Sequence, residues 1–267
     1  GWVKEETSKA KTNFRLVFDD NNIHVNDIVF SSENMNSELQ LTYDGERASR
    51  LYIKELEMQG HDFSGLFEWD YENAMYQLSV KGEEFNAVPL MDIIFAPLDE
   101  NTEKTDLPDF NLSGSIAEVA MYNDIIAKET SVLAGYINNE VIDFGYMAKW
   151  GEDKNLSLII ASDENLTNPE QKMTLSTNDG GNALRALDFF TSGDRGNLLI
   201  DADMIKMEKG YTLKGNIRAE EFTVADSQVF SELLKEKEFA KAQEELEKNG
   251  LSFDSFEGNF EQYDQIF

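Results

Sequence analysis

Thr177-Asn-Asp-Gly-Gly-Asn-Ala-Leu-Arg-Ala-Leu-Asp188 closes one strand and opens a helix. It is followed by Gly196-Asn-Leu-Leu-Ile200, by Tyr211-Thr-Leu-Lys-Gly-Asn-Ile217 and by Gly250-Leu-Ser-Phe-Asp254. From Gly180 the apolar residues Ala183, Leu184, Leu187 and Phe190 recur at three- and four-residue steps, which predicts a helix over Gly180 to Phe190. The segments after it alternate apolar and polar side chains, as half-buried strands do. Asp226 or Ser227 then caps a helix carrying Val229, Phe230, Leu233 and Leu234. A second amphipathic stretch, with Phe239, Ala242 and Leu246, ends at Asn249-Gly250. This order predicts an antiparallel sheet with one apolar face, sealed at one end by helices that include a C-terminal helical hairpin.

The same period of two runs back to the start of the chain. Phe14, Leu16 and Phe18 face one way, and the pattern repeats at Leu39 and Leu41, Leu51 and Ile53, Leu78 and Val80, and Leu156, Leu158 and Ile160. Met173 with Leu175, Leu198 with Ile200, and Leu213 with Ile217 continue it. Turn residues at Asp44-Gly45, Gly151-Glu152-Asp153-Lys154-Asn155 and Ser192-Gly193-Asp194 separate the runs at hairpin-like spacing, so the prediction is a meander. Val88-Pro89-Leu90-Met91-Asp92-Ile93-Ile94 predicts a short helix with proline near its start. An internal echo links Tyr76 to Phe85 with Gly215 to Phe222. Each is a strand, a Glu-Glu-Phe corner and then a helix, as in stacked β units.

Among the 267 residues, Lys plus Arg number 23 against 52 Asp plus Glu, a formal charge of −29. A field of that sign repels nucleic-acid phosphates and anionic head groups. The acids are spread along the chain, as expected of solvated faces. With 41% apolar residues the chain can build a real core, and with no cysteine it has neither disulfides nor thiolate metal sites. No apolar run reaches the roughly 18 to 20 residues that span a bilayer. The chain begins at Gly1-Trp2-Val3 and ends at Gln265-Ile266-Phe267 in a strand-like run, so it is expected to be a soluble fragment of a longer protein.

Residues with chemistry to offer are few. His24 and His61 stand in unrelated contexts and read as strand or surface positions. Ser8-Lys9-Ala10-Lys11 fits the spacing of a Ser-x-x-Lys nucleophile but has none of its partner motifs. Gly180-Gly181 reads as a helix start, and Asp201 with Asp203 as a solvated strand face without a calcium loop. Arg185 could meet a lipid phosphate or a carboxylate such as Asp188, and the internal ion pair is the favoured expectation. No catalytic residue, metal ligand or cofactor is assigned, and the chain is read as a non-enzyme.

The elements quoted first, with Phe222-Thr-Val-Ala-Asp226 and Phe230 to Leu234, resemble the C-terminal region of the AsmA-like envelope proteins, above all the long YhdP-type members. The matching pattern is a "D-x-G-x-x-L-R-x-L" element, a "L-x-G-x-L" strand, a Phe corner, a Leu-rich helix and a "G-x-G-I-x-F" strand. Gly82 to Ile94 is similar to an upstream element. The usual Ala-Pro after the Phe corner is Asp226-Ser227 here, and the last glycine pair is shifted to Asn249-Gly250.

The resemblance covers Thr177 to Phe267 well, Tyr76 to Trp150 loosely and the first 75 residues hardly at all. It implies an elongated, curved antiparallel sheet forming an apolar groove. The organisation read from it is one fragment over 1–267, with N-terminal strands over 1–75, a middle β unit over 76–176 and an AsmA-like C-terminal unit over 177–267. It also implies an inner-membrane anchor outside this segment, location in the periplasm of a diderm bacterium, and carriage of phospholipids toward the outer membrane.

On that reading the partners are phospholipid acyl chains, flanking segments of the same chain, and the two membranes through regions outside it. Leu78, Val80, Leu156, Leu158, Ile160, Leu198, Ile200, Leu213 and Ile217 are the expected groove lining. Three alternatives stay open. The apolar residues would equally build a closed sandwich. A non-enzymatic assembly module for outer-membrane biogenesis would use sheet edges for partner strands. A glycan-binding or hydrolytic domain would gather Trp69, Trp150 and carboxylates in one cleft.

Overall fold

The computed structural model describes residues 10–19, 21–94, 107–138, 140–162, 171–188, 191–206, 211–224, 240–248 and 250–265. The predicted helix over Asp226 to Leu234, the Ser8-Lys9 end of the Ser-x-x-Lys match and Phe190 lie outside them.

The protein is mainly β, a 15-stranded antiparallel sheet with a few short helices. β1 (Lys11–Phe18) to β11 (Gln171–Thr177) follow one another as a meander, through β2 (Ile23–Ser31), β3 (Met35–Tyr43), β4 (Ala48–Met58), β5 (His61–Asp70), β6 (Met75–Asn86), β7 (Phe110–Ala120), β8 (Ile126–Ile137), β9 (Glu140–Lys149) and β10 (Asn155–Ser162). β13 (Asn197–Lys206) lies beside β11, β14 (Tyr211–Val224) beside β13, and β15 (Leu251–Gln265) pairs with β14. The two-residue β12 (Gly193–Asp194) pairs with the end of β14. Among the described residues β1 pairs only with β2, so the sheet does not close on itself, and the closed-sandwich alternative is set aside.

The helices are α1 (Val88–Ile94), α2 (Gly180–Ala186) and α3 (Ala240–Lys248), with a 3₁₀ turn at Tyr122–Asp124. α1 matches its predicted span. α2 stops short of the predicted Phe190, because Leu187 has left helical geometry and Asp188 takes a left-handed φ of 56°. α3 is the second helix of the predicted hairpin, and Gly250, at φ 80°, turns the chain from it into β15.

The chain divides into two compact units. One comprises 1–86, 104–119 and 129–141, and the other 87–103, 120–128 and 142–267. In the first unit every strand pairing from β1 to β6 is interrupted by a register shift: at Asn13/Arg15, Val25/Ile28, Glu38/Leu39, Ile53/Leu56 and Asp62/Phe63. Such bulges let a strand bend and re-aim its side chains. In the second unit β9–β10, β10–β11, β11–β13 and β13–β14 pair without interruption.

The Glu-Glu-Phe echo is a structural device. At Glu83 β6 carries a residue that β5 does not match, since Phe63 opposes Gly82 while Asp62 opposes Glu84. At the second copy Glu221 adopts φ 52°. In both, two successive exposed glutamates shift the alternation by one and return a phenylalanine, Phe85 or Phe222, to the less exposed side. At Glu221 the steric cost of a left-handed φ, about 1–2 kcal/mol, is set against the burial of the Phe222 ring.

Candidate functional site

The register sorts the strand residues onto two faces, because directly opposed residues share a side. In the first unit Leu16, Val25, Leu41, Leu51, Phe67 and Leu78 form one continuous cross-strand row. Ile28, Leu39, Ile53, Gly65 and Val80 form another. In the second unit Tyr146, Leu158, Leu175, Ile200 and Ile217 align, as do Ala148, Leu156, Thr177, Leu198 and Ala219. Each unit therefore presents one apolar face. The reverse face is polar: Asp143, Ala161, Lys172, Asp203, Lys214 and Glu261 make one of its rows.

Eight of the nine predicted lining residues stand in apolar rows, whereas Leu213 shares its row with Met204 but also with Ser162, Gln171 and Gln262. Their surroundings differ. Leu156 and Leu198 are buried with Leu175, Ala183, Ala219, Phe222, Val224 and Leu246, and Leu158, Ile200 and Ile217 pack against that cluster. Ala183 belongs to α2 and Leu246 to α3, so these positions lie under helices. Ile160 and Leu213 form a smaller cluster with Met204. Leu78 and Val80, in the first unit, are only half-buried. The two most open apolar side chains of the described strands are on the edge strand, Phe18 at 69% and Phe14 at 60%, with Leu16 between them at 48%; Leu133 of β8 and Met147 of β9 are also exposed, at 59% and 54%. Sequence reading placed the three of β1 on one face but not in the lining, because nothing in β1 itself tells an edge strand from a central one.

The sequence explains how closely α2 sits. A Cβ on Gly181 would stand 2.6 Å from the Asp194 Cα, and one on Gly180 2.9 Å from the Leu198 Cβ. The two amides donate to backbone carbonyls, Gly180 to Gly196 at 2.6 Å and Gly181 to Arg195 at 3.0 Å, so neither is left for an anion. Asp179 caps the helix. Its buried carboxylate accepts from the Asn182 amide at 3.4 Å, the Asn182 side chain at 2.8 Å and the Lys154 ammonium at 2.6 Å. Arg185 differs from expectation. Its guanidinium donates to Asn182 Oδ1, while Asp188 accepts from Asn123 at 3.2 Å. The left-handed Asn123 of the 3₁₀ turn, which also bonds the Arg185 carbonyl at 2.8 Å, occupies the place expected for the arginine.

Beside it Tyr122 donates to Asp92 Oδ1 at 2.5 Å, and that bond to an anion pushes the tyrosine hydroxyl up to about 12. The 3₁₀ turn thereby ties α1 and α2 into the second unit. At the β3–β4 turn Asp44 accepts from Tyr71 at 2.6 Å and from the Arg47 and Glu46 amides, and these bonds bring its carboxyl down to about 2.

The residues weighed for chemistry are scattered. His24 bonds Asp19 at 2.9 Å and Thr42 at 3.2 Å. His61 packs edge-on to Phe85, and burial lowers its pKa. Trp69, in the first unit, lies edge-on to Tyr76 beneath the Arg47 guanidinium. Trp150, in the second, packs on the core beneath α2. Asp201 lies on the polar face and accepts from Thr174 at 2.9 Å. Among the described residues no group of three or more acidic or histidine side chains is placed to hold a metal ion. A groove of about 770 Å³ in the first unit is lined by side chains of both charges, among them Lys54, Asp62, Lys81, Glu83 and Glu129. No helix among the described residues is long and apolar enough to cross a membrane.

No protein-family model, curated protein or solved structure matches the chain.

Proposed function

We propose that the chain is a non-enzymatic segment of an AsmA-like, periplasmic bridge that carries phospholipid acyl chains along an apolar sheet face between the inner and outer membranes. The observation that supports this reading is the first unit's apolar face. Its rows run unbroken from Leu16 to Leu78 and from Ile28 to Val80, with Leu16 at the edge 48% exposed and Leu78 and Val80 only half-buried. A hydrocarbon chain laid there leaves water at about 0.8 kcal/mol per methylene, which is the driving force a carrier needs. The polar reverse face keeps such a sheet soluble.

The test is native mass spectrometry with lipid extraction on the purified chain. Phospholipid retained at a fixed stoichiometry is expected, reduced by Leu78→Arg on the apolar face and unaffected by Ser79→Arg on the polar one. A chain that stays lipid-free after incubation with phospholipid, or that loses lipid equally with both variants, refutes the proposal.

A further inference from the structure

The two terminal strands of the sheet carry opposite charge. β1 (KTNFRLVF) holds Lys11 and Arg15 and no acid, in a chain of net charge −29. β15 (LSFDSFEGNFEQYDQ) holds Asp254, Glu257, Glu261 and Asp264 and no base. Every residue of β1 is exposed. Edge strands offer unpaired backbone groups to any strand that fits them, and natural proteins usually blunt such edges. Here the lysine and arginine are the only charged residues on an otherwise strongly β-forming strand.

The chain contains a template for what fits. Lys214-Gly-Asn-Ile-Arg-Ala219 of β14 has the same pattern as Lys11-Thr-Asn-Phe-Arg-Leu16 of β1: lysine, asparagine and arginine on one face, apolar residues on the other. β15 is the strand that β14 accepts. Lys214 opposes Glu261, Asn216 opposes Asn259 and Arg218 opposes Glu257, the last with an ion pair of 2.7 Å. β15 has its other edge unpaired among the described residues.

We infer that β15 of one copy adds antiparallel to β1 of a second copy, in the register it already uses against β14. Lys11 then faces Glu261, Asn13 faces Asn259 and Arg15, which in its own copy pairs with Asp27 at 3.0 Å, faces Glu257, so each glutamate stands between two bases and Arg15 between two acids across the polar face. On the apolar side Leu16 meets Phe256, which is 46% exposed, and Phe14 lies opposite Gly258, against the Phe256 ring that already lies over that glycine. The backbone ladder and the apolar row supply the attraction, and the charges supply the register and the choice of partner. Because the two edges differ, the contact is head-to-tail and does not close. It is independent of lipid carriage.

The experiment is sedimentation of the intact chain over a concentration series at physiological salt, with Lys11→Glu/Arg15→Glu and Glu257→Lys/Glu261→Lys as charge reversals. Concentration-dependent association is expected, weakened roughly tenfold or more by either reversal. It should be restored on mixing the two variants, since one keeps the native β15 and the other the native β1. The chain has no cysteine, so a mixture of Asn13→Cys and Asn259→Cys chains gives a second readout that leaves every charge in place. Oxidation should cross-link them as mixed dimers, whereas Lys172→Cys, in the interior of the polar face, should cross-link with neither. A monomer at every concentration, association indifferent to charge reversal, or no excess of the mixed dimer overturns the inference.

Discussion

In the second unit the row Ala148, Leu156, Thr177, Leu198 and Ala219 runs beneath α2 and α3, and Leu198 is 2% exposed. In the first unit the row from Leu16 to Leu78 is as apolar, but its edge leucine is 48% exposed and Leu78 is only half-buried. Alternating sequence of one kind has thus been finished in two ways. The difference traces to a short local signal, Asp179-Gly180-Gly181, which caps a helix and lets its backbone approach the strands closely. The pairings differ too. They are interrupted at every step from β1 to β6 and continuous from β9 to β14 apart from its junction with β15, so the covered sheet is the regular one.

The contrast is broken most strongly at Leu198. Leu198→Ala should cost about 3 kcal/mol through lost burial and a cavity under α2, against less than about 0.5 kcal/mol for Leu16→Ala, in urea unfolding followed by far-ultraviolet circular dichroism. Equal losses would mean that the two faces are equally covered. Gly181→Ala comes next. Its methyl meets the Asp194 and Arg195 backbone and should lift α2 from the sheet, costing about 2 kcal/mol in the same assay. Asp179→Asn leaves the cap's shape but removes the charge opposite Lys154, and a loss of about 1 kcal/mol is expected.

The smallest effect lies at the exposed turn of the first unit. The Asp44 carboxyl titrates lower folded than unfolded, so its bonds stabilise the fold fully above the ordinary carboxylate value of 3.8, and that contribution is lost as the pH falls toward about 2. Tyr71→Phe should therefore lower the urea midpoint slightly at pH 7 and leave it level with the wild type near pH 2. A difference that persists at low pH would place the effect in the ring and not in the hydrogen bond.

Strand positions, the meander and α1 were legible in the sequence because period-two alternation and turn residues are local signals. Eight of the nine predicted lining residues fall in apolar rows for the same reason, all but Leu213. What stayed hidden depends on distant partners. Leu156 and Leu78 read alike, and only the arrival of Ala183 and Leu246 separates a core residue from an open one. The phase shifts at Glu83 and Glu221 left only a doubled glutamate as their trace. The scarcity of bases near Arg185 favours a carboxylate partner such as Asp188, but the 3₁₀ turn whose Asn123 takes that carboxylate comes from a segment far away in sequence.

The proposal for the first unit's apolar face is tested most directly with Trp69, which lies opposite Tyr76, two residues from Phe67 of the apolar row, with Arg47 over its ring. In a chain whose other two tryptophans are replaced by phenylalanine, its fluorescence should be quenched by phospholipid brominated on the acyl chains and restored by Leu78→Arg. Emission indifferent to the brominated lipid, from a chain that retains its native circular dichroism, would contradict the account.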